Sequence, residues 1–213
     1  MAGAIGRRHG RGIVRVGIDG VDGAGKTHLA DELAELLGYR GVRTVRASVD
    51  GFHRPARERH RRGRHSPEGF FLDSYDYPAM RRLLLDPLGP GGDRRIVRAI
   101  HDVHREVAVD AAVEVVAEPA VLLVDGIFLH RDELADAWDL SVWLDVPFEV
   151  SIPRGAARGY GEPDPAAPAN HRYVQGQRLY LAACRPRERA TFVVDNTDFD
   201  PPSISARPQA RRG

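Results

Sequence analysis

Eight residues, Gly20-Val-Asp-Gly-Ala-Gly-Lys-Thr27, stand between a β-branched run (Ile13 to Ile18) and a segment with leucines at helical spacing, and they leave few folds open. A run that flows straight into glycines reads as a strand entering a loop. Leu29, Leu33, Leu36 and Leu37, with Gly38 placed to end the segment, read as the helix that the loop opens. The spacing is G-x-x-x-x-G-K-[ST], in which glycines let backbone N–H groups close around a phosphate and the helix N-terminus adds partial positive charge. Lys26 is the only lysine among 31 basic residues, so its place inside the octet carries information. Where arginine serves everywhere else, a surviving lysine marks a site that needs a compact ammonium.

The rest of the chain alternates strands and helices. Further strands are expected at Thr44 to Val49, Val121 to Val124, Leu140 to Leu144 and Phe192 to Val194. Their continuous apolar runs call for a sheet covered on both faces. Helices are expected at Pro78 to Leu85, at Asn170 to Ala183, and where Val103, Val107, Ala111 and Val115 recur ahead of Pro119. The pattern predicts an α/β three-layer sandwich with a mostly parallel five-stranded sheet. At 213 residues and 42% hydrophobic content the chain fits one domain, expected over 13–200 with a mobile lid at 155–169. Residues 1–12 and 201–213 are Gly/Arg- and Pro/Arg-rich and are expected to be a disordered arm and a flexible tail.

In a phosphate loop of this kind the backbone of Gly20, Gly23, Ala24, Gly25 and His28 surrounds the nucleotide, and Lys26 reaches the β- and γ-phosphates. The Thr27 hydroxyl ligates Mg²⁺, so ATP and Mg²⁺ are the expected cofactors. Asp125 ends the third strand in Leu122-Leu-Val-Asp-Gly126 and fits a carboxylate that holds the metal directly or through water. Asp50 ends the second strand in Ser48-Val-Asp-Gly-Phe-His-Arg-Pro55, at the same sheet edge. It can accept the proton of an attacking hydroxyl, and an Asp-Gly pair there can equally cap a turn.

The phosphate loop, Val49-Asp-Gly-Phe-His-Arg-Pro55, Tyr75-Asp-Tyr-Pro78 and Val124-Asp-Gly126 together resemble the uridine kinase and phosphoribulokinase-like family across residues 13 to 200. The resemblance implies that Asp50 is the general base and that Asp76, with Tyr75 and Tyr77, binds the acceptor. It places His53, His101, Asp102, His104 and Arg105 on the acceptor side as well. Lids of that family carry several arginines. Here Arg158 is the first candidate for stabilising transferred charge and Arg154 the second, with an acidic, proline-rich stretch between them and Arg172. His28 replaces a second hydroxyl residue common after the loop threonine.

The expected activity is transfer of the ATP γ-phosphate to a hydroxyl, with the 5′-hydroxyl of uridine or cytidine as leading acceptor. Another small alcohol (a sugar, a phosphorylated sugar, pantothenate or a natural-product intermediate) is the alternative. A P-loop ATPase or regulatory switch is an alternative of another class. The basic loop from Arg54 to His65 would suit a phosphorylated acceptor or balance nearby acids, while Phe52, Phe70, Phe71, Tyr75 and Tyr77 could stack on a substrate ring or fill the core. With 31 basic against 30 acidic residues the net charge is +1, which gives no reason to expect nucleic acid. A single cysteine and no long apolar run point to a cytoplasmic chain without a membrane partner, and a homodimer stays open.

Overall fold

The computed structural model describes residues 1–9, 12–198 and 203–206. We label its six main-sheet strands β1 (Ile13–Gly20), β2 (Thr44–Ser48), β3 (Ala120–Gly126), β4 (Leu140–Asp145), β5 (Phe192–Asp195) and β6 (Ser203–Ala206). Five helices of seven residues or more are α1 (Ala2–His9), α2 (Lys26–Tyr39), α3 (Pro67–Asp73), α4 (Phe148–Ala156) and α5 (His171–Cys184). The strand order is β6-β5-β4-β1-β3-β2. Every neighbouring pair is parallel except β5 with β6.

Register explains how the chemistry gathers at one edge. Ile18 of β1 lies beside Asp125 of β3, and Asp125 in turn lies beside Ser48 of β2. The loop after β1, the end of β3 and the turn after β2 therefore meet at the carboxyl ends of the strands, where open parallel sheets bind ligands. All seven residues of β3 are buried, as a central strand covered on both faces requires.

Three expectations change. The sheet has six strands rather than five, because Ser203–Ala206 returns antiparallel and covers the open edge of β5. Residues 207–213 of the expected tail lie outside the described residues. The expected disordered arm begins with a helix, α1, whose Ile5 is fully buried and whose Arg8 donates to the Asp139 carbonyl at 2.5 Å. One apolar side chain seated in the core and one anchored arginine hold a segment that composition alone describes as frayed. The third change is the helix expected across Val103 to Val115. That segment forms two short antiparallel ladders, His101–Asp102 with Val107–Ala108, and Arg95–Ile96 with Glu114–Val115. Asp102 accepts hydrogen bonds from the N–H groups of His104 and Arg105 (2.9 and 3.0 Å), and Glu106 adopts φ +54°, so the chain reverses where a helix would continue.

Pro78 to Leu85 is helical, as Tyr77–Met80 followed by one wide turn over Arg81–Leu85, and α5 stands where Asn170 to Ala183 was expected. Helix α2 runs through Gly38 to Tyr39 and stops at Gly41 (φ +72°), whose N–H reaches the Gly38 carbonyl.

Candidate active site

The glycine octet is the turn from β1 into α2. Its opening is fixed from below by Asp19, a carboxylate with no exposure, which accepts from Gly20 N–H (2.8 Å), Leu129 N–H (3.0 Å), His130 N–H (3.1 Å), His130 Nδ1 (2.8 Å) and the Tyr180 hydroxyl. Buried carboxylates persist when their lone pairs are filled, and here the donors come from three parts of the chain. Gly23, at φ +74°, could carry no side chain: a Cβ would stand 2.0 Å from the Ser151 carbonyl oxygen of α4.

Lys26 Nζ donates to the Val21 carbonyl at 2.8 Å, curled over the loop it serves. Thr27 Oγ1 donates to Asp125 Oδ2 at 2.7 Å, and Asp125 Oδ1 is 3.1 Å from Arg46. A hydroxyl and a carboxylate within contact of each other beside a phosphate loop fit an octahedral Mg²⁺ that takes its other ligands from phosphates and water. No group of three or more metal-ligating His, Cys, Asp or Glu side chains occurs among the described residues. The imidazole of His28 lies on the exposed side of α2, 3.3 Å from Glu32, so its side chain is turned from the loop. Its backbone N–H is one of the first-turn donors that a helix leaves unpaired.

Asp50 opens a single turn capped by Ser48, whose hydroxyl accepts the Asp50 N–H at 3.2 Å. Tyr75 donates its hydroxyl to Asp50 Oδ1 at 3.0 Å, and the carboxylate side chain remains 66% exposed, so a second oxygen is open to a ligand. His53 packs its ring 4.5 Å from that of Tyr75 and turns Nδ1 to the Asp50 carbonyl at 2.9 Å. Burial pushes the His53 pKa below its ordinary value, which keeps the ring neutral beside the carboxylate. Burial, with Asp50 adding to it, raises Tyr75 well above a free phenol, so it acts as a donor.

Sequence reasoning missed Asp22, the third residue of the octet. Its N–H donates to Gln177 Oε1 at 2.7 Å, and Gln177 Nε2 returns a bond to Asp22 Oδ2 at 3.1 Å. Burial raises the pKa of Asp22, Lys26 opposes this, and the nearby Asp50 adds to it. A second carboxylate thus lies near Asp50 from within the glycine octet. Its position in the octet was visible in the sequence. Its partner, 155 residues further on, was not.

The other expected residues either make contacts within the scaffold or stand exposed. The Asp76 carboxylate accepts from Ala79 N–H at 2.9 Å and caps the Tyr77–Met80 turn, because Asp ahead of Tyr-Pro is placed to do so. His104 and Arg105 are exposed on the tip of the His101–Ala108 hairpin. Arg154 donates to the carbonyls of Asn196 (2.7 Å) and Thr197 (2.5 Å), tying α4 to the loop after β5, while Arg158 is exposed in the lid. Phe52, Phe70, Tyr75 and Tyr77 are core residues, so those four rings hold the loop rather than offering a stacking surface. A cavity of about 500 Å³ lies beside the loop between Val21, Phe148, Leu181 and Thr197, and none of the sequence-predicted site residues lines it.

A model of the AAA domain family matches residues 16–178, and the chain belongs to that family. Solved structures place it more narrowly, in the P-loop kinase fold to which uridine kinases and phosphoribulokinases conform. A possible uridine kinase from Bacillus stearothermophilus superposes with a TM-score of 0.67 at 21% identity, over 85% of this chain and 88% of its own. A protein assigned as a fructose transport system kinase from Silicibacter sp. TM1040 gives 0.64 at 26% identity, over 82% and 87%. Phosphoribulokinase from Rhodobacter spheroides gives 0.58 at 14% identity, over 85% and 69%. Among curated proteins no sequence matches the chain.

Proposed function

We propose that this protein transfers the γ-phosphate of ATP to a hydroxyl of a small molecule, with Asp50 as general base. The observation that carries the reading is the placement of Asp50. Its carboxylate stands at the sheet edge shared with the phosphate loop, steadied at one oxygen by Tyr75 and open at the other. A nucleotide-dependent switch has no use for an open carboxylate there. A hydroxyl kinase needs one, because the attacking oxygen must lose its proton as the new bond to phosphorus forms.

In this reading Lys26 exchanges the Val21 carbonyl for phosphate oxygens, and Thr27 with Asp125 would hold Mg²⁺, which offsets phosphate charge when bound. Arg158 is carried on the lid and reaches the transferred group when the lid closes, excluding water that would otherwise hydrolyse ATP. The acceptor is a small alcohol. A pyrimidine nucleoside remains within that class, supported by the similarity to a possible uridine kinase, although the four buried rings remove the stacking argument for it.

The test is Asp50→Asn, assayed with a panel of nucleosides, sugars, sugar phosphates, glycerate and pantothenate under Mg-ATP. Turnover with the best acceptor should fall by about 10³-fold. Affinity for a non-hydrolysable ATP analogue should stay within about twofold, because binding uses the loop rather than the base. Full activity in the variant would remove Asp50 from the mechanism, and ADP release that no acceptor stimulates would favour an ATPase.

A further inference from the structure

The arginines of the 54–64 loop divide into two groups. Arg54 lies 3.5 Å from Glu58, Arg59 pairs with Glu106, and Arg61 and Arg62 hold the buried Asp73 at 2.6 and 2.9 Å. Exposed Arg57 is 3.8 Å from Glu58. These five side chains brace the loop against three carboxylates, so each has an acidic partner. Arg64 has no ion pair among the described residues, and neither does Arg172, in the first turn of α5.

Arg172 lies across the aromatic floor, its guanidinium carbon 5.5 Å from the Phe70 ring and 5.7 Å from that of Tyr173. One terminal nitrogen is 3.4 Å from His60 Nε2, a contact between two nitrogen groups. The Nε atom is buried and has no hydrogen-bond partner. A half-buried guanidinium with an unsatisfied donor costs stability unless something fills it. Its neighbours make matters worse. Burial lowers the Arg172 pKa, Tyr173 opposes this, and Arg59 and Arg64 add to the depression. The pKa of His60 is also lowered, by burial and then by Arg172, Arg59 and Arg64. Beside them opens a cavity of about 380 Å³ lined by His65, Ala166, Pro168, Ala169, His171 and Arg172. The nearest lid carboxylate with a recorded bond, Asp164, is turned to the Ala166 N–H at 2.8 Å.

We propose that Arg172, with His60, Arg64 and His65 around it, binds an anionic group, phosphate or carboxylate, carried by the acceptor. The inference rests on the kinase reading above and narrows its substrate class to an alcohol that is also an acid. The pocket is tied to the acceptor side by a chain of hydrogen bonds: Arg59, next to His60, donates to the Arg54 carbonyl at 2.7 Å, Arg54 donates to the Tyr75 carbonyl at 3.0 Å, and Tyr75 holds Asp50. The charge of Arg59 is felt both by His53 and by Arg172. Arginines with acidic partners build the wall, and those without one meet the ligand.

The experiment uses the full chain saturated with Mg²⁺ and a non-hydrolysable ATP analogue, so that the phosphate loop is filled. Inorganic phosphate titrated by calorimetry should still bind, and binding should weaken at least tenfold in Arg172→Met, which keeps an apolar stem over Phe70. Exposed Arg64→Ala, whose fold is not at risk, should weaken it by a smaller factor. Turnover is then compared for uridine with orotidine, ribulose with ribulose 5-phosphate, and glycerol with glycerate. The anionic member of the accepted pair should have the lower KM by tenfold or more, and Arg172→Met should close that gap with kcat little changed. Equal preference for the neutral member, or a variant that loses the ATP analogue instead of phosphate, would overturn the proposal. ADP release that neither these six nor the wider acceptor panel stimulates, with phosphate still held through Arg172, would sink the kinase reading and leave only an anion pocket.

Discussion

Asp22 is a half-buried carboxylate bonded to Gln177 and set near Asp50, and burial raises its pKa above the usual carboxylate value. A group whose folded pKa is raised holds its proton more tightly when folded, so its contribution to stability is greatest at low pH and falls as pH rises through the folded value. Asp22→Asn removes that loss, because the amide oxygen can still accept from Gln177. The variant should melt at a higher temperature than the parent at pH 7 without nucleotide, and the difference should shrink as pH is lowered towards 4. A lower melting temperature at pH 7 would show that the charge is compensated by something other than Lys26. Single residues of this kind divide cleanly by legibility. The placement of Lys26, Thr27, Asp50 and Asp125 at one sheet edge could be read from the sequence, because Lys26 and Thr27 hold fixed places in the octet after β1, Asp50 stands two residues past β2 and Asp125 stands at the end of β3. Asp19 could not, since nothing local announces that Leu129, His130 and Tyr180 will converge on it.

Among the elements, α4 and α2 make the contrast between glycines measurable. Gly23→Ala places a methyl group into the Ser151 carbonyl of α4 at a positive φ, and should cost about 2–4 kcal/mol in urea unfolding as strain and overpacking combine. Gly38→Ala meets nothing within 4 Å inside α2 and should stabilise by about 0.5–1 kcal/mol. Equal effects of the two would show that α4 does not press on the loop. The misread segment from Val103 to Val115 belongs at this scale too. Its small apolar residues Val103, Val107, Ala111 and Val115 recur every four positions, but the period was coincidental. Asp102 and the positive φ of Glu106 turn the chain before a first helical turn closes, and Val107 and Val115 are exposed.

Across the whole molecule, the order of elements was legible because covered parallel strands have to be apolar throughout, whereas the edges were not. The sixth strand is Ser-Ile-Ser-Ala, too polar to announce itself, and it exists because β5 offers an open row of backbone groups. Helix α1 hides for a similar reason: it contributes one large side chain, Ile5, to the core. Ile5→Ala should cost about 2–4 kcal/mol, read as a shift of the urea midpoint at unchanged slope. A negligible shift would return the segment to the frayed arm its composition suggests. No helix among the described residues is long and apolar enough to cross a membrane.

The pairing of Asp125 with Arg46 also bears on the sequence of arrivals at the site. With one oxygen 3.1 Å from a guanidinium that also pairs with Asp31 at 3.0 Å, and the other accepting from Thr27, this carboxylate is already engaged and partly compensated before any ligand comes. A free divalent cation would gain less there than at an unpaired carboxylate, since it must shed water to reach an anion that Arg46 already partly compensates. The same cation chelated by a triphosphate brings its own negative charge and asks of Thr27 and Asp125 only a final adjustment. Under the proposed kinase function these residues would receive metal and nucleotide as one body, and saturating the protein with the ion alone should not be a step on the path.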